Sequence, residues 1–217
     1  MDKEKLRNLA AQIDYELFLG VDLAGSEKRN TGISFVENNS IVTCIIRNEK
    51  ELLEIMQKFQ FIYIDAPLTL PHGRNSLEVW NEHHFRECDL ILRKRGIKFF
   101  PITLGPMRML TQRGMRLRER LSKLGKEVYE VFPGAFYDVF GVKRKERNTI
   151  QVLYKTLSGF FGLSLKVDYP SQDELDAIAC LFTGFFHKLN LAECLTGIDG
   201  KIVIPGTYVK GLIGIGF

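Results

Sequence analysis

Cysteine is scarce and scattered in this 217-residue chain: Cys44, Cys88, Cys180 and Cys194 form no CxxC pair. Spacing of that kind excludes a disulfide scaffold and a zinc ribbon, so buried free thiols are expected. Long apolar runs are missing as well. No stretch approaches the roughly 18 apolar residues that cross a bilayer, and MDKEKLRNLAAQID at the start lacks the apolar centre of a secretory signal. We therefore expect a cytoplasmic chain with no membrane partner. Repeats, low-complexity tracts and linker-like Pro/Gly/Ser segments are also lacking, which argues for one domain over residues 1–217. Enough apolar material is present to build it: hydrophobic residues make up 45% of the chain and charged residues 26%, which excludes a disordered tail or a fibre.

An excess of one charge is nearly absent overall, at a formal +4, but the distribution is uneven. Residues 86–126 hold twelve Lys and Arg against three acids, a local +9 that leaves −5 elsewhere. Such a field attracts polyanions, and nucleic acid is the partner it suits. Gly96, Pro101, Gly105-Pro106 and Gly114 break the same region, so residues 72–125 read as a basic, partly helical insertion.

Around it the periodicity is regular. LFLGVDLA (17–24), TGISFVEN (31–38) and SIVTCIIR (40–47) read as a three-stranded meander, with Asn38-Asn39 as a turn that tolerates positive φ. Residues 48–59 follow as an amphipathic helix capped by Asn48, then FIYIDAPL (61–68) as a strand stopped by Pro67. EVYEVFPG (127–134) reads as a strand, 146–162 as a helix, 169–188 as a helix with Pro170, Ser171 and acids at its start, and KIVIPG (201–206) as a last strand. This order predicts an α/β fold, a mixed sheet with helices on both faces.

Three acids interrupt otherwise apolar elements: Asp22, Asp65 and Asp176. An unpaired buried carboxylate costs several kcal/mol, so something positive must compensate each. A divalent cation does this economically, and carboxylate oxygens are the ligands that Mg²⁺ and Mn²⁺ prefer. Two such ions would stabilise the attacking and leaving oxygens of a phosphoryl displacement. The three carboxylates should therefore converge on one site.

GVDLAG (20–25) with TGISF, YIDAPLTLP (63–71), RECDLILRKRGIKFFP (86–101), YEVFPGAF (129–136) and DELDAIA (173–179) together resemble domain-of-unknown-function family number 429, generally described as predicted nucleases of the RNase H-like fold. The resemblance spans roughly residues 17–206. It implies a mixed five-stranded sheet in β-β-β-α-β-α-β-α order, with Asp22 central on the first strand, Asp65 ending the fourth and Asp176 on the closing helix. It also makes Glu130 a candidate accessory acid and Arg86, Arg93 and Arg95 candidate phosphate contacts, since guanidinium pairs with phosphate in a bidentate way. DELDA is similar to the closing-helix motif of Holliday-junction resolvases, which adds Asp173 as a ligand and, by analogy, a possible homodimer. The i, i+3 spacing puts Asp173 and Asp176 on one helical face. Glu174 should point to solvent. His72 is a turn residue or a general base near Asp65, and His83-His84 diverge too far along a helix to share an ion.

The leading expectation is a metal-dependent nuclease hydrolysing phosphodiester bonds with Mg²⁺ or Mn²⁺. A Mg-dependent ATPase or kinase-like protein of the same fold is the first alternative, and a non-catalytic nucleic-acid-binding module the second.

Overall fold

The β-branched runs at 31–37 and 40–46 pair as antiparallel strands across a two-residue turn in which Asn38 and Asn39 adopt φ of 49° and 58°. Both residues of such a turn need positive φ, and asparagine tolerates it. A computed structural model describes residues 3–214, and this hairpin is the centre-left of its sheet. The strands are β1 (Phe18–Asp22), β2 (Thr31–Glu37), β3 (Ser40–Ile46), β4 (Phe61–Asp65), β5 (Glu127–Val131), β6 (Ser164–Leu165), β7 (Ala192–Gly197) and β8 (Gly200–Pro205). The helices are α1 (Lys3–Ala10), α2 (Glu49–Met56), α3 (Glu87–Lys94), α4 (Gly105–Ser122), α5 (Pro133–Phe140), α6 (Arg147–Phe160), α7 (Gln172–Lys188) and α8 (Val209–Ile213).

The strands form one mixed sheet in the order β6-β3-β2-β1-β4-β5-β8-β7. Strand β1 pairs antiparallel with β2 and parallel with β4, and the β4-β5-β8 run is parallel. The expected five strands are thus extended to eight. At one edge β6 adds two residues beside β3, and at the other the β7-β8 hairpin joins β5. Strand 127–134 ends at Val131 because Pro133 opens a helix, α5, at a first-turn position where its missing N–H costs nothing. Within 72–125 only α3 and α4 are helical; Arg74, buried, organises the loop between β4 and α3 by donating to the carbonyls of Ser76, Val79, Asn81 and His83.

Helices cover both faces, as the alternating pattern requires. On one face α7 packs with α5 and α6 over an aromatic-rich core that includes Phe18, Tyr63, Phe136, Phe182 and Phe185. On the other, α2 and α4 cover Leu19, Val21, Ile62 and Ile64, while α3 covers the β7-β8 end. Two glycines let α7 lie directly on the sheet. A Cβ at Gly20 would sit 2.2 Å from the Ala177 carbonyl oxygen, and one at Gly32 2.1 Å from that of Asp173. Backbone therefore meets backbone, and the N-terminal turns of α7 are pinned over the ends of β1 and β2.

Two of the four thiols, Cys88 and Cys180, are buried as expected, but Cys44 is half-buried and Cys194 is exposed. Cys194 faces outward because it lies on β7, the outermost strand of the sheet. No described helix is long and apolar enough to cross a membrane.

Candidate carboxylate site

Strand alternation decides which acids meet. Asp22 is the last residue of β1 and Asp65 the last of β4, and the two are register partners on adjacent parallel strands. Neighbouring strands lie about 4.8 Å apart, so the side chains stand together at the carboxyl ends, where open α/β sheets bind ligands. Both follow Gly20 and Tyr63 by two residues and so point to the α7 face. The Gly32 contact brings Asp173 to the same corner. Asp22, Ala24, Gly25, Ser26, Arg144 and Asp173 line a cleft of about 800 Å³, closed on its far side by Pro106, Met107 and Leu110 of α4.

Asp22 and Asp65 are half-buried, and among the described residues nothing donates a hydrogen bond to either carboxylate. Burial raises Asp22 well above the usual carboxylate range, with further upward pushes from Asp65, Asp176 and Asp173; Arg144 opposes them. Burial likewise pushes Asp65 up to about 8, helped by Asp176 and Glu130 and opposed by Arg144. Two carboxylates in this state resist being ionised together unless a cation arrives.

Asp176 is in a different condition. It is fully buried, its Oδ1 accepts from Tyr137 Oη at 2.8 Å and from Gln172 Nε2 at 2.8 Å, and its Oδ2 pairs with the Arg144 guanidinium. The expected third ligand is thus already compensated by an arginine. Its oxygens are spoken for, and among the described residues no three Asp, Glu, His or Cys side chains are grouped so that they could hold a metal ion. The donor chemistry at Asp22 and Asp65 nevertheless suits a hard cation: oxygen ligands, partly accessible, without competing hydrogen bonds. Asp173 shares the cleft with Asp22.

Glu130 does not belong to this cluster. It pairs in register with Ile64 and so points to the face opposite α7, where Arg86 grips both its oxygens at 2.6 Å and the Leu68 amide donates at 2.9 Å. Arg86 is equally unavailable for phosphate. Its side chain is 1% exposed and also pairs with Asp89 at 2.7 Å, so it balances two buried acids instead of facing solvent. Arg95 pairs with Glu193 at 2.6 Å, and Arg93 lies over the Phe85 ring at 3.9 Å. Across 86–126, Arg86, Arg95, Arg113 and Arg116 pair with Glu130, Glu193, Glu49 and Glu27 from outside the segment, which offsets four of the nine local charges. Glu174 also departs from expectation: it closes a capping box with Ser171 and accepts from Thr43 Oγ1 at 2.7 Å. His72 is an exposed turn residue whose amide donates to Asp199, and His84 Nδ1 lies 2.8 Å from Thr103 Oγ1.

Arg144, Tyr137 and Gln172 were not expected at the site. The available signal was KRKER at 143–147, a second basic run whose residues are all exposed and whose arginine reaches the carboxylates.

A family model described as "Protein of unknown function (DUF429)" matches residues 20–199, which include every one of these carboxylates. The chain belongs to the DUF429 family. Neither a curated protein nor a solved structure matches this DUF429 chain.

Proposed function

We propose that this DUF429 protein is a metal-dependent phosphodiesterase acting on nucleic acid, built on an RNase H-like fold, with Mg²⁺ or Mn²⁺ held at Asp22 and Asp65. The observation that carries the proposal is the register pair itself: two carboxylates without hydrogen-bond donors, at the ends of adjacent parallel strands, both raised in pKa, with Asp22 opening to a cleft. The inner run β3-β2-β1-β4-β5 of the eight-stranded sheet supports the fold part of the reading.

A divalent cation bound there would neutralise charge developing on phosphate oxygens. The chain's own groups do the rest. Asp173 lines the cleft beside Asp22 and offers a further oxygen to an ion or a water. Tyr137 and Gln172 fix the orientation of Asp176. Arg144 pairs with Asp176 and lines the cleft, where it offers positive charge to a phosphate backbone.

The cleft of about 800 Å³ also has room for a nucleotide, which keeps a Mg-dependent ATPase or kinase-like activity as the second reading. A screen of labelled single-stranded, duplex and branched DNA and RNA, alongside ATP, each with Mn²⁺ and with chelator, separates the two. Metal-dependent cleavage of a nucleic acid is expected. Release of phosphate from ATP with every nucleic acid left intact would replace this reading by the second, and no metal-dependent turnover of any substrate would leave a binding module.

A further inference from the structure

At the other end of α7, about 16 Å along the helix from Asp176 at 1.5 Å per residue, a second set of titratable groups meets. His187 lies in the last turn of α7 and is half-buried. Its Nδ1 is 3.0 Å from Tyr63 Oη, and its Nε2 is 3.7 Å from Cys194 Sγ. The imidazole is gripped edge-on by Tyr129 and Tyr63, with ring centroids 4.8 and 5.9 Å away. Tyr63 is buried on β4, so its hydroxyl is a fixed point, whereas Cys194 on the outer strand β7 is exposed. An accessible nucleophile, a base within reach and a third group orienting the base are the signature of an activated thiol.

The charges facing the imidazole come from several elements. Burial lowers the His187 pKa, as do Lys201 of β8 and Lys188, while Glu127 of β5 opposes them. Burial also keeps the Tyr63 phenol protonated. A neutral imidazole with Nδ1–H donating to Tyr63 leaves Nε2 free to accept the thiol proton.

Beside the pair, Thr196, the next residue on the Cys194 face of β7, borders a cavity of about 490 Å³ together with Tyr129, Arg118 and Lys201. Its acids, Glu130 and Asp199, are already engaged by Arg86 and by the amides of His72 and Glu87. Asp199 keeps its charge under those amide hydrogen bonds, so two cations and two acids line the cavity, which has room for a small disulfide next to the thiol.

We infer that Cys194 and His187 form a reactive thiol pair that exchanges with low-molecular-weight disulfides, giving this chain a reversible modification site separate from its carboxylates. In the step, the Cys194 proton passes to Nε2 and the thiolate attacks one sulfur of the disulfide. The old S–S bond breaks as the new one forms, and the departing thiolate recovers the proton from His187. The products are a mixed disulfide on Cys194 and one free thiol.

The experiment treats the full-length protein with oxidised glutathione near pH 7 and follows each cysteine by intact mass and peptide mapping, with a short cysteine peptide as reference. Cys194 should react at least about tenfold faster than the peptide, because an ordinary thiol is only a few per cent ionised at that pH. Cys194→Ser should remove the fast adduct. His187→Gln should cost about tenfold and move the midpoint of the pH–rate curve up to that of a free cysteine, about 8.5. Tyr63→Phe, which keeps thiol and base, should shift that midpoint without abolishing the reaction, as a positioning residue does. Modification of Cys194 no faster than the peptide, or a rate indifferent to His187→Gln, would overturn the inference. If His187→Gln fails to fold, the wild-type pH profile decides, since a midpoint at the free-cysteine value also overturns it.

Discussion

Replacing Asp65 with Asn should make the metal-free protein more stable at neutral pH, and by an amount that follows from the site. The Asp65 carboxyl moves from an ordinary 3.8 up to about 8 on folding. At pH 7 the unfolded chain has lost this proton and the folded chain keeps it, so folding must take it up against a gap of about 3 units. At about 1.4 kcal/mol per unit that is roughly 4 kcal/mol, and relaxation and water entry at a half-buried strand end bring the expected gain to about 2–4 kcal/mol. The sign is opposite to that of a salt-bridged aspartate. A raised carboxyl contributes its stability in full below about pH 4 and loses it as pH rises toward 8. Urea melts of wild type and Asp65→Asn in chelator, at pH steps from 4 to 8, should therefore start together and diverge with increasing pH. His187, lowered on folding, acts in the other direction below about pH 6.5, but equally in both proteins. Millimolar Mn²⁺ should then stabilise the wild type by mass action, about 2.7 kcal/mol at a hundred times Kd, and leave the variant unmoved. A stability gap that does not change with pH, or an Asn variant weaker than wild type at pH 7, would refute the reasoning.

Two further outcomes test the frame around the site. Gly32→Ala places a Cβ 2.1 Å from the Asp173 carbonyl, so α7 must lift from β2; a loss of about 3 kcal/mol is expected in urea melts, together with weaker metal binding. Arg86→Met strands the buried carboxylates of Asp89 and Glu130 and should cost about 3–5 kcal/mol. In nucleic-acid titrations of the folded fraction, the same variant should leave the salt dependence of binding unchanged, because Arg86 touches no phosphate.

The parts of this fold that could be read in advance are those whose signal is local. Strands β1 to β4 are short apolar runs with unmistakable stops, and the start of α7 is spelled out by Ser171 and Glu174. Strands β6 and β7 were missed for the opposite reason: one is two residues long, and AECLTG is an edge strand whose exposed positions blur the alternation. Asp22 and Asp65 stood out because an acid ending an apolar strand is conspicuous. Glu130 was implied only as an accessory acid by the family resemblance, and its role turned on pleat parity and on Arg86, a partner 44 residues away in the chain. The same distance effect hid the arginines: their acid partners on β5, β7 and α2 are brought beside them only by the folded sheet. Arg144 was missed because a basic run between two helices carries no local sign that one member reaches a buried acid.

Asp22 stands at the centre of the account, since β1 is held by neighbours on both sides and its last residue feels all three other acids. Asp22→Asn keeps the shape of the side chain and removes its charge. The deciding measurement is Mn²⁺-dependent cleavage of labelled nucleic acid by wild type and Asp22→Asn, with Mn²⁺ binding followed on the same samples. The account predicts that the variant folds, binds Mn²⁺ at least about tenfold more weakly and loses cleavage by a factor of about a hundred or more. Equal cleavage by the two proteins, or a wild type that binds no divalent metal at millimolar concentration, would contradict it.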